Sequence, residues 1–220
     1  LFARLGAAAL IDSLTIDEAS SVEGVSYVGA FAGLCEGTIE NCHNYASVTA
    51  TKGHVGGIAG SAQTGAVLNR CVNDGAVSGA GNVGGIVGYL ENAELSALEN
   101  NADVTSTASY TGGVVGYVNG YAKGINWINR GRISGTSETG GLVGYAYKSY
   151  ETGCLELDSS FNAGYVTGSK TNLGGLIGKG DANVITKCFN TGDVVSTAEK
   201  VSTSACGAAG LVGDGVPQIT

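Results

Sequence analysis

The stretch NVGGIVGY, residues 82–89, recurs along the chain as YVGAFAG, HVGGIAG, YTGGVVG, ETGGLVG, NLGGLIG and AAGLVG. Aligned on the glycine motif, the first position of the seven copies falls at Val28, Val55, Val83, Thr111, Thr139, Leu173 and Ala208. The intervals between them are 27, 28, 28, 28, 34 and 35 residues. A period of this size marks a repeat architecture, in which each unit buries its apolar side only by stacking on the next.

A second motif follows each of the first six copies: NCHNYASVT (41–49), RCVNDGAVSG (70–79), ALENNADVTS (97–106), NWINRGRISG (126–135), SSFNAGYVTG (159–168) and KCFNTGDVVS (187–196). Three of its positions hold. One is asparagine, at Asn44, Asn73, Asn100, Asn129, Asn162 and Asn190. Two residues later comes a small residue, at Ala46, Gly75, Ala102, Gly131, Gly164 and Gly192. Four residues after the asparagine comes a β-branched residue, at Val48, Val77, Val104, Ile133, Val166 and Val194.

Apolar runs of two to five residues bounded by Gly, Asn and Ser predict short strands and tight turns, and no run carries a helical period. A helical repeat would also place several glycines inside each helix, at about 1 kcal/mol apiece relative to alanine. At roughly 3.3 Å per extended residue, 28 residues trace at most about 90 Å, one turn of a parallel β-helix. A β-propeller blade needs about 40 residues and four strands, more than this unit supplies. The expected fold is therefore all-β, a parallel β-helix of about seven coils. Residues 1–24 form an N-terminal cap and degraded coil with Val22 in the branched column, 25–215 the repeats, and 216–220 a tail or linker. The longer intervals place surface loops at 145–157 and 197–207, and each exposed end coil calls for a cap or further chain.

The columns have physical meanings. Asparagine tolerates a left-handed backbone and bonds local backbone, and stacked in every coil its amides form a ladder. The glycine two residues on permits close backbone approach, with ordinary dihedrals because Ala46 and Ala102 share its column. Cys42, Cys71 and Cys188 alternate with Leu98, Trp127 and Ser160 and read as core fillers, with a Cys42–Cys71 disulfide between adjacent coils as the alternative. Alternation does not decide whether Ile86 or Val87 points inward.

Composition excludes several functions. The chain has 38 Gly and one Pro without a collagen period, and charged residues are 14% against 43% apolar, which opposes disorder. A net charge of −8 without a basic cluster opposes nucleic-acid and anionic-membrane partners, and LFARLGAAALI at 1–11 is too short to span a bilayer. Six cysteines in 220 residues do not set a redox compartment. His43 and His54, with Cys35 and Cys42, lack metal-site spacing and read as surface histidines. The acids do not recur at one column, so no calcium ladder is expected. Glu151, Glu156 and Asp158 are the best carboxylate group for glycoside chemistry, but no partner supports them and they read as solvated loop charge. No catalytic, cofactor or metal residue is assigned. One outward column remains: Tyr89, Tyr117 and Tyr145 each follow the closing glycine of successive copies. Stacked tyrosines either stabilise the coils or offer rigid contact area to a glycan or protein.

HVGGIAG, NVGGIVG, TGGLVG and NLGGLIG, followed by NCHNYASVT, CVNDGAVSG or CFNTGDVVS, resemble the GLUG-motif repeat of bacterial surface and secreted proteins, over roughly residues 25–215. The resemblance implies a right-handed parallel β-helix. It also implies an extracellular, non-catalytic role, either as an adhesin-like rod or stalk meeting glycan or host protein, or as an accessory domain of a secreted peptidase or glycan-active hydrolase, like the repeat region of immunoglobulin A-cleaving metallopeptidases. Further coils or domains of the same polypeptide are expected. The family lends no catalytic residues, and the H-E-x-x-H of a zinc peptidase is absent. AFAG in the first copy, Leu98 in place of the cysteine, and a last copy without its second half depart from the pattern.

Overall fold

The computed structural model describes residues 1–148, 154–181, 183–198, 208–214 and 218–219. Among these, all regular elements are strands, arranged in one sheet of 18 and one of 12 whose neighbours run parallel. With no helix described, none is long and apolar enough to cross a membrane. The chain is a parallel β-solenoid of about seven turns with a period of about 28 residues.

One coil shows how the sequence makes the turn. Val77–Gly84 lies in the smaller sheet, the chain bends at Gly85 and Ile86, and Val87–Asn100 runs through the larger sheet. Val104–Ser106 then returns to the smaller one. The next coil repeats this path in register, Val83 on Thr111, Val87 on Val115, Asn100 on Asn129 and Val104 on Ile133. Ile86 and Val87 are both fully buried, as are Ile58 with Ala59, Val114 with Val115 and Leu142 with Val143. The pair straddles the bend between two sheets, so both residues face the core and strand alternation does not apply.

The glycines of the motif serve close approach, because none of Gly84, Gly85 and Gly88 has positive φ. A Cβ on Gly85 would stand 2.1 Å from the carbonyl oxygen of Gly113 and 2.4 Å from the amide carbon of Asn100. The second glycine of the first motif thus vacates the space that the asparagine of the second motif fills. Gly57 and Asn73, Gly113 and Asn129, and Gly141 and Asn162 repeat the contact.

The left-handed kinks fall elsewhere than expected. The ladder asparagines have ordinary φ, and positive values of 51° to 56° occur three residues earlier, at Asn41, Arg70, Ala97, Asn126, Ser159 and Lys187. A second left-handed file, Tyr27, Tyr110, Glu138 and Asn172, immediately precedes the glycine motif.

The expected loop at 145–157 is shorter than its sequence suggested, since Val143–Tyr147 and Leu155–Asp158 are strands in register with their neighbours. Its centre, with Glu151, lies outside the described residues, as does most of 197–207. Phe2–Leu5, Leu10–Asp12, Thr15–Ile16 and Ser21–Gly24 each pair with the coil below, Val22 lying on Val48. Gln218–Ile219 pairs with Val184–Ile185.

Candidate binding face

Two side-chain files stand out. The first is inside. Asn44, Asn73, Asn100, Asn129 and Asn162 each donate one Nδ2 hydrogen to the carbonyl two residues on, at 2.8–2.9 Å. The other hydrogen goes to Oδ1 of the next asparagine, at 2.8, 2.9, 2.8, 2.7 and 2.8 Å, ending on Asn190. The first five are fully buried. Every amide hydrogen is satisfied, which a buried polar file requires. The five buried rungs are closed to solvent and structural, and the half-buried Asn190 ends the file.

The second file is half-exposed. Tyr89, Tyr117 and Tyr145 are in register through Tyr89 on Tyr117 and Tyr117 on Tyr145, with Ser61 and Lys179 continuing the column on either side. The rings of Tyr89 and Tyr117 are parallel at 5.6 Å, and Tyr145 meets Tyr117 edge-on at 5.3 Å. The sequence reading missed three further members. Tyr27, His54 and Tyr110 come from the residue before the glycine motif, where the chain arrives from the other sheet, and they interleave with the tyrosine column. His54 stacks on Tyr89 and meets the edge of Tyr27, both at 4.8 Å. Tyr110 lies 5.3 Å from Tyr117 and 5.4 Å from Tyr145. Tyr147 adds a contact at 6.2 Å, and the Lys179 ammonium sits 5.7 Å over the Tyr145 ring.

His54 is therefore not a free surface histidine. It is half-buried between two rings, its Nδ1 has no hydrogen-bond partner, and burial holds its pKa below the usual value, so the neutral ring is favoured. Burial, then the neighbouring phenols, pushes Tyr117 up to about 12, and burial likewise raises Tyr89 and Tyr145. The phenols stay protonated at neutral pH and can donate hydrogen bonds. Because stacked rings turn their faces to one another, the ridge meets solvent with ring edges and hydroxyls.

The other sequence candidates are dispersed. His43 stacks on Tyr45 at 4.0 Å and pairs with Asp74, away from His54, and no group of three His, Cys, Asp or Glu able to hold a metal ion occurs among the described residues. Glu156 and Asp158 are half-buried strand residues beside Lys123, bordering a shallow depression. A second aromatic cluster escaped the sequence reading. Phe161 and Phe189 stack at 4.9 Å, Arg130 covers Phe161 at 5.6 Å, and Arg132 covers Tyr165 at 4.8 Å.

Fold and files together define the class: a parallel β-solenoid with an internal asparagine ladder and an external aromatic ridge. No family model and no curated protein matches the chain. Among solved structures, it is similar to the crystal structure of a "putative immunoglobulin A1 protease" from Bacteroides ovatus, with a TM-score of 0.61 and 18% identity. The match covers 94% of this chain and 69% of that one, and at this identity it speaks to the fold.

Proposed function

We propose that the chain is a non-catalytic, extracellular repeat scaffold of a bacterial surface protein, whose aromatic ridge adheres to a glycan or host surface protein. The observation that carries the reading is the unbroken run of rings from Tyr27 through His54, Tyr89 and Tyr117 to Tyr145, spaced 4.8–5.6 Å. A rigid aromatic row with outward hydroxyls offers contact area at little conformational cost, as hot-spot residues do. The GLUG-like motifs support the bacterial surface setting.

The test is binding of the purified chain to glycan and host-glycoprotein arrays, then to its best ligand as Tyr89→Ser and Tyr145→Ser. Serine occupies this column naturally at Ser61. Affinity should fall about tenfold or more per central ring, the 1–2 kcal/mol of a hot-spot side chain. Unchanged binding in both folded variants removes the ridge as the contact face. The likeness to a structure described as a protease favours a second reading, an accessory domain of a secreted peptidase. A catalytic module in the surrounding coding sequence would decide for it.

A further inference from the structure

Cys42 and Cys71 occupy consecutive rungs of one inward file. The register of His43 on Val72 and Asn44 on Asn73 sets one directly against the other. Both are free thiols with 1% and 0% exposure. Adjacent parallel strands run about 4.8 Å apart, inside the 4.4–6.8 Å Cα separation a disulfide spans. Each Sγ reaches carbonyl oxygens, Cys42 that of Glu40 at 3.1 Å and Cys71 that of Ile39 at 3.3 Å. No other described cysteine faces a cysteine: Cys35 lies between Leu5 and Ala62, and Cys188 beside Ser160.

We propose that Cys42 and Cys71 are a peroxide-sensitive thiol pair that closes to a disulfide, stapling the second coil to the third. The Cys42 thiolate attacks one oxygen of hydrogen peroxide. The O–O bond breaks, hydroxide leaves and takes up a proton as water, and Cys42 becomes a sulfenic acid. The Cys71 sulfur then displaces that hydroxyl from Cys42, the S–S bond forms, and the Cys71 proton leaves with the hydroxyl as a second water. The two sulfurs together supply the two electrons that reduce one peroxide to two waters.

Two features select Cys42 as the attacking thiol. The neighbouring Cys71 thiol is the largest influence on it and lowers its pKa, whereas burial raises Cys35 to about 11 and also raises Cys154 and Cys188. Access comes from its place in the stack. Residues 2–24 pair with its coil on one side, and among the described residues they carry Phe2, Leu10 and Leu14, three of the eleven exposed large apolar side chains. A coil covered by short strands with exposed apolar side chains opens more readily than a tightly packed one, and a peroxide molecule needs only a small opening.

The full chain is treated with hydrogen peroxide, unfolded, alkylated and mapped by mass spectrometry. The expected result is a Cys42–Cys71 cross-linked peptide that dithiothreitol reverses. In Cys71→Ala, which keeps a small apolar filler but removes the group that lowers the Cys42 pKa, Cys42 should oxidise more slowly and stop at a sulfenic acid trapped by a 1,3-dione. In the oxidised wild type, hydrogen exchange across residues 42–71 should slow by on the order of tenfold or more. Full alkylation of both thiols after peroxide, or preferential oxidation of Cys35, Cys154 or Cys188, overturns the proposal.

Discussion

Asn100 uses every hydrogen its amide has: one to Ala102 in its own coil, one to Asn129 in the next, while its Oδ1 accepts from Asn73. A carboxylate of the same shape cannot take this place, because it accepts only, and it would face the Asn129 oxygen and the Ala102 carbonyl with no donor between them. Asn100→Asp should therefore cost on the order of 3–5 kcal/mol at neutral pH, the penalty of an unpaired buried charge. Asn100→Ala, which leaves the Asn73 donor and its own carbonyl partners unsatisfied without adding charge, should cost less, roughly 1–3 kcal/mol as these neutral groups relax around the vacated site. Denaturant midpoints measure both, and a milder effect for aspartate than for alanine would contradict the ladder as drawn. The ladder was legible beforehand because its geometry admits a single residue type. The left-handed file three residues earlier was not, since Asn, Arg, Ala, Ser and Lys all occupy it and no residue type marks it.

Within a coil, the strands trade volume with one another. The inward file Ile39, Leu68, Leu95, Gly124, Leu157 and Ile185 has one gap, at Gly124, and the neighbouring file has its largest member, Trp127, in the same coil. A Cβ on Gly124 would lie 2.7 Å from Trp127 Cε2 and 2.8 Å from Leu157 Cδ2, so the indole fills the place of the absent side chain. Its Nε1 donates to the Leu95 carbonyl at 3.0 Å. The coil above solves the same packing with Leu95 and Leu98. Gly124→Leu alone should clash and Trp127→Leu alone should leave a cavity, each costing about 3 kcal/mol or more, whereas the double variant rebuilds the coil above and should recover at least half of the summed loss. Thermal or chemical denaturation of the four proteins closes the cycle, and strict additivity would reject the exchange. Nothing in the order of residues betrays this compensation, because it is settled between facing side chains. The ridge was half legible for a similar reason. Tyr89, Tyr117 and Tyr145 share one column, but Tyr27, His54 and Tyr110 alternate in theirs with Asn82 and Glu138, and only the bend between sheets interleaves the two.

The whole molecule is one-dimensional in its energetics, since each coil touches chiefly the coils on either side. A central coil is held on both faces by continuous strands, Val87–Asn100 and Val115–Asn129 pairing along nearly their full length. The coil of residues 1–24 is built of shorter strands. It places Ile16 where the others have the ladder asparagine, and leaves Phe2 and Leu10 more than half exposed. In a nearest-neighbour stack such a coil opens without disturbing the middle. Amide hydrogen exchange should therefore be graded along the axis. Phe2–Leu5 and Thr15–Ile16 should exchange first, and the strands around Leu90 and Val118 last, with protection differing on the order of a hundredfold or more between end and centre. Oxidation of Cys42 and Cys71 would move the inner boundary of the fast-exchanging region one coil outward. A single protection level from Phe2 to Val118 would instead mean that the stack opens as one cooperative unit, with the coil-to-coil interfaces stronger than any coil's tendency to fray.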